Sequence, residues 1–256
     1  MVLVSTMLSG CGGSGDAGPV DTGVAGIWTA SNVPGTTAML FVSPTSVQPS
    51  FSAPLDFFYQ TVSANCTGEY SGNLVVPQAG QQLSGSGYFN PSVLLPGAAC
   101  SMSGAASFDG EFNPGASFLL TADVGTASQP TLEWKADDLY HQPSDLPALA
   151  GAWLSADGSV WNIDVTGALT ETQVQAPYTG CTVTGQVSII NPAYNLFAFN
   201  MSWSDCPSGP EEHGQALEGL LAIDSSVTPY QLLGGGVVNS GSGEVFNVAV
   251  QALRQP

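Results

Sequence analysis

The chain has 256 residues, of which 20 are Asp or Glu and only two, Lys135 and Arg254, are Lys or Arg, for a formal net charge of −18. So acidic a surface repels phosphate backbones, which excludes nucleic acid as a partner, and it repels anionic lipid headgroups as well. Hydrophobic residues make up 43% of the chain, enough to build the core of one large or two ordinary domains, and no run of apolar residues is long enough for a membrane-spanning helix.

At the amino terminus a short apolar stretch, Val2 to Leu8, runs into Leu8-Ser9-Gly10-Cys11. Only small residues flank the Gly10–Cys11 bond, as a signal-peptidase site requires. The motif resembles the lipobox of bacterial lipoproteins. The resemblance implies that residues 1–10 are a removable signal peptide, that Cys11 is lipidated through its sulfur, and that the membrane is a partner through that lipid. Gly12, rather than Asp, follows the cysteine; by similarity to enterobacterial lipoproteins this implies a cell-envelope location in the outer membrane. Residues 11–23 carry Gly12-Gly13-Ser14-Gly15-Asp16-Ala17-Gly18-Pro19, the composition of a flexible tether.

Two similar stretches follow, 24–138 and 150–256. Ala25-Gly26-Ile27-Trp28 opens the first and Ala150-Gly151-Ala152-Trp153 the second. Each contains a Cys-Thr start to a strand, Cys66-Thr67 and Cys181-Thr182, and each ends near one of the two cations. Self-similarity on this scale predicts tandem domains rather than a solenoid. Between them, residues 139–149 carry two prolines among polar residues and are expected to form a linker.

Period-two alternation predicts strands throughout. In the first stretch Cys66, Gly68, Tyr70, Gly72 and Leu74 share one face, and Met102, Gly104, Ala106 and Phe108 another. In the second, the one-sided sets are Cys181, Val183, Gly185, Val187 and Ile189; Phe197, Phe199, Met201 and Trp203; Leu217, Gly219, Leu221 and Ile223; and Phe246, Val248, Val250 and Ala252. Asp157-Gly158 has the signature of a hairpin turn. No window keeps a helical apolar spacing. The expected class is all-β, with two tandem eight-stranded antiparallel up-and-down barrels, since closure removes the edges that an open sheet exposes. Alternation fits a pair of β-sandwiches equally well.

Beyond Cys11, four cysteines allow three pairings. In an oxidising compartment, pairing Cys66 with Cys100 and Cys181 with Cys206 keeps each bridge within one half. No C-x-x-C pair supports a zinc site, and the two histidines, His141 and His213, lie in loop-like sequence.

Gly151-x-Trp153 on a first strand, with a basic residue on the last, resembles the calycin group of small barrels, which includes lipocalins, fatty-acid-binding proteins and avidins. The resemblance implies that Arg254, in step with the apolar face of its strand, lies over the Trp153 indole and closes the barrel end. Gly26, Trp28 and Lys135 would play the same structural part in the first half, although Lys135 alternates with Glu133 and Asp137, opposite Leu132 and Trp134.

No motif identifies an enzyme: no G-x-S-x-G elbow is present, and only His213, near Glu211, Glu212 and Asp205, suggests an acid/base group. No metal or other cofactor is implied. The expected function is that of a non-catalytic envelope lipoprotein binding a small apolar ligand in a barrel. The alternative is a structural or protein-interaction module, inhibitors included, acting through loops such as 43–54 and 90–98.

Overall fold

The computed structural model describes residues 25–30, 37–43, 57–63, 66–75, 82–91, 103–113, 117–124, 127–128, 131–155, 158–172, 180–207, 216–239 and 245–256. The expected signal peptide, Cys11, the tether, Cys100, Met102, Glu211, Glu212, His213 and most of the two loops fall outside them.

Among the described residues the first half carries nine strands: β1 (Gly26–Ala30), β2 (Thr37–Val42), β3 (Phe57–Ser63), β4 (Cys66–Val75), β5 (Gln82–Pro91), β6 (Gly104–Asn113), β7 (Ser117–Val124), β8 (Ala127–Ser128) and β9 (Leu132–Ala136). A 3-10 turn (Asp138–His141) and a short helix, α1 (Leu146–Leu149), lead to the second half. There follow β10 (Gly151–Ser155), β11 (Val160–Ile163), β12 (Ala168–Thr172), β13 (Thr182–Ile189), β14 (Phe197–Ser204), β15 (Ala216–Asp224), β16 (Gln231–Asn239) and β17 (Val245–Arg254). The all-β expectation holds.

The second half is the expected barrel. β10 to β17 pair in sequence order, and the sheet closes between β10 and β17, where Trp153 faces Arg254 and Leu154 faces Leu253. The alternation read from the sequence sorts the side chains accordingly. On β13, Val183 and Val187 are buried while Thr182, Thr184, Gln186 and Ser188 are exposed. On β14, Phe197, Phe199, Met201 and Trp203 point into the core. Apolar inside and polar outside is the reverse of the pattern of a barrel embedded in lipid. Among the described residues no helix is long and apolar enough to cross a membrane.

The expectation of a second closed barrel is corrected. The first half is one curled sheet in the order β6-β5-β4-β3-β2-β1-β9-β7-β8, with an additional β6–β7 pairing. Strand β7 meets three partners, β6 and, along different stretches, β8 and β9, so the pairing departs from the regular eight-strand order of the second half. Its last partner is split into the two-residue β8 and the five-residue β9, with Pro130, which has no N–H to donate to a ladder, between them in the sequence. The concave face still encloses a core, with Trp28, Tyr70, Phe89, Phe108 and Trp134 all buried. Tyr70 packs against Phe89 and edge-on to Phe108, at 4.7 and 5.9 Å between centroids, the tilted geometries that ring quadrupoles favour.

A third apolar cluster joins the halves. Ile27 and Phe41, cross-strand partners in β1 and β2, meet Leu220 and Ala222 of β15, with Leu139 and Tyr140 of the 3-10 turn between them. The segment 139–149 is therefore no free linker. Leu139 and Tyr140 are buried between the sheets, and Leu149 is buried in the core of the barrel. Asp137 starts the turn by accepting a hydrogen bond from the Leu139 amide at 2.9 Å, as an N-cap does.

Candidate functional site

The residues singled out by the G-x-W plan meet at the end of the barrel where α1 packs. Trp153 is fully buried, and its Nε1–H donates to the Leu149 carbonyl at 2.9 Å. That bond satisfies the indole and gives a partner to a carbonyl at the end of α1, where helical carbonyls otherwise lack one. The Arg254 guanidinium lies over the ring, with Cζ 5.8 Å from its centroid. It donates through Nη2 to the Ala150 carbonyl at 2.7 Å and through Nη1 to the Ala148 carbonyl at 3.2 Å. A stacked, forked cation of this kind is a task for Arg rather than Lys.

Gly151 explains the first letter of the motif. Its φ is +145°, and a Cβ at this position would sit 3.3 Å from Arg254 Nε. A side chain would be strained by the backbone and would crowd the guanidinium. The glycine leaves the space that the cation fills.

In the first half the same plan is met by different residues. Trp28 is buried in the concave core, and β1 pairs with β9 through Trp28 and Ala136. Lys135 is exposed, one position along from the buried Trp134, and so is not the counterpart of Arg254. That expectation is corrected: strand alternation turns Lys135 outward. Over Gly26 lies Tyr140, whose Cδ1 would be 3.5 Å from an added Cβ. The sequence gives no signal for Tyr140, which follows the last strand of the first half, in the Pro-containing segment 139–149.

Cys181 and Cys206 form a disulfide that ties the start of β13 to the residue pair after β14. Cys66 opens β4; its expected partner, Cys100, lies outside the described residues. His141 is exposed, its ring 5.5 Å from Tyr140 and 6.3 Å from Tyr194. Asp205 is exposed just after β14, with a positive φ of 54°. Among the described residues no group of three or more His, Cys, Asp and Glu could hold a metal ion.

Outside the same barrel end a groove of about 750 Å3 opens between the β15–β16 connection and the end of β17. Tyr230, Pro229, Ala152, Leu253 and Arg254 line it. Tyr230 contributes its ring, 5.7 Å from Arg254 Cζ, and its carbonyl, which accepts from the Arg254 amide at 2.9 Å. The guanidinium thus lies between the indole that plugs the barrel and an exposed phenol.

Comparison with protein-family models, with curated proteins and with solved structures gives no match for this chain.

Proposed function

We propose that the chain is a non-catalytic, lipid-anchored protein of the bacterial cell envelope that acts as a structural or protein-interaction module. One observation favours this over a carrier with its ligand inside a barrel: the interior of the closed barrel is occupied by its own side chains. Trp153, Trp161, Phe197, Phe199, Met201 and Trp203 pack there, each at most 6% exposed, and Trp161 meets Phe199 at 5.6 Å between centroids. An eight-stranded barrel is just wide enough to be filled by side chains or to hold one small ligand; aromatic residues of this bulk favour the first. The anchor rests on Leu8-Ser9-Gly10-Cys11. The oxidising compartment it implies agrees with the Cys181–Cys206 bridge.

Intact mass spectrometry of the mature protein from a bacterial host tests both parts. The expected chain begins at acylated Cys11, Cys11→Ser yields no acylated form, and native spectra show a barrel without stoichiometric apolar cargo. A mature wild-type chain without acyl groups overturns the anchor. A ligand released in equal amount on denaturation overturns the filled barrel.

A further inference from the structure

We propose that the groove beside Arg254, on the outside of the barrel, binds a small carboxylate with an apolar or aromatic body. The site is separate from the barrel interior and does not depend on the reading above.

Three observations converge. First, the exposed large apolar side chains among the described residues are Leu154, Val165, Val227, Tyr230 and Leu253. Tyr230 and Leu253 line the groove, Leu154 is the cross-strand partner of Leu253, and Val227 belongs to the same connection as Tyr230. Such clustering marks a binding surface, whereas singly scattered apolar residues need no explanation.

Second, the one charged side chain in the lining is a cation, in a chain of net charge −18. Its two hydrogen bonds to Ala148 and Ala150 use two of the five N–H donors of a guanidinium. The stacking on Trp153 and Tyr230 fixes the fork in advance, which lowers the entropy lost on binding. A planar carboxylate is the acceptor that such a fork suits best.

Third, the surroundings select a small molecule. β10 and β17 are each paired on both sides within the closed barrel, so among the described residues these two strands offer no free edge to hold an extended peptide backbone. A second copy of the chain would set one net charge of −18 against another. The volume falls within the range of small-molecule sites.

The test is a titration of the full chain with phenylacetate, and with phenylacetamide as its neutral counterpart, followed by amide and guanidinium NMR shifts. Saturable shifts are expected at Tyr230, Leu253 and Arg254, with the amide weaker by roughly tenfold, as for loss of a charge-assisted hydrogen bond. Leu253→Ser, at an exposed position, should weaken phenylacetate roughly fivefold with an unchanged circular dichroism spectrum. Arg254→Lys should abolish the preference for acid over amide. Equal binding of acid and amide, shifts centred elsewhere, or unchanged affinity in Leu253→Ser would overturn the proposal. So would a peptide with a free carboxyl-terminal Phe that binds where phenylacetate does not.

Discussion

Tyr140 and Tyr194 stack face to face, with ring centroids 4.5 Å apart and planes within 3°. The first ring comes from the 3-10 turn after the first half, the second from the β13–β14 connection of the second half. The Tyr140 carbonyl also accepts from the Asn195 amide at 3.0 Å. The buried Asn195 side chain in turn pairs with both backbone groups of Ile223, at 2.7 and 3.1 Å. The chain of contacts runs from the turn, through the connection, to β15. Because Ile27, Phe41, Leu220 and Ala222 close around it, the two halves share an apolar interface.

The first prediction concerns this joint. Tyr140→Ala removes a buried aromatic that packs over Gly26 and against Tyr194, and should cost about 3 kcal/mol, as core aromatic truncations do. In urea the wild-type chain should unfold in one transition by both tryptophan fluorescence and far-UV circular dichroism, whereas the variant should separate into two. A single, unshifted transition for Tyr140→Ala would show that the joint carries no stability.

A second prediction addresses the indole. Trp153→Phe keeps most of the apolar bulk but leaves the Leu149 carbonyl without its donor at 2.9 Å. An unpaired buried carbonyl costs about 1–3 kcal/mol. The loss should appear as a lower urea midpoint at constant slope, and α1 should show faster amide exchange at Leu149 and Ala150. Midpoints equal to wild type would mean that the bond contributes nothing net.

A third prediction tests why glycine opens the motif. Gly151→Ala places a Cβ at φ +145° and 3.3 Å from Arg254 Nε. The backbone strain alone is about 1–3 kcal/mol, and the guanidinium must also shift from Trp153. A thermal midpoint within error of wild type would show that the site has room to spare.

Where one face of a strand meets water, the sequence was readable. Val183, Val187, Phe197, Phe199, Met201 and Trp203 alternate with polar residues and are inside. Where both faces are covered, alternation disappears. Ile27-Trp28, Leu40-Phe41-Val42 and Leu220 to Ile223 are continuous apolar runs, buried on one side in a sheet core and on the other at the joint. Such runs are the sign of a strand covered on both faces, and they were the available signal for the contact between the halves. The site was legible to the same extent. Arg254 lies in phase with its strand's inner face, but Tyr140 lies in a turn, where no period applies. The sharing of β7 between β8 and β9 depends on which strands pair, and this is not written in any one strand.

A fourth prediction follows from the disulfide. Cys181 and Cys206 are 25 residues apart, and closing a loop of that length restricts the unfolded chain by about 3 kcal/mol in the chain-entropy description. A Cys181→Ser, Cys206→Ser double variant should lose about that much in urea, and the wild type should lose it on addition of dithiothreitol. Equal stability with and without reductant would rule out a stabilising bridge.

The last prediction concerns acid. Asp164 closes the β11–β12 turn by accepting three hydrogen bonds through Oδ1: from the Thr166 hydroxyl at 2.6 Å, the Thr166 amide at 2.7 Å and the Ala168 amide at 3.0 Å. The Thr166 side chain, followed by the backbone donors, holds its carboxyl below the usual carboxylate range. A carboxylate whose pKa is lower in the folded state stabilises the fold above its unfolded value, and that contribution is lost as the pH falls through the folded value. The turn should therefore keep its Thr166 and Ala168 amide shifts through the range in which free aspartate is protonated, and lose them only in stronger acid. Asp164→Asn should remove this acid transition while leaving the rest of the barrel spectrum in place. A midpoint for these two amides at or above that of an unperturbed aspartate would show that the three donors do not favour the charged form.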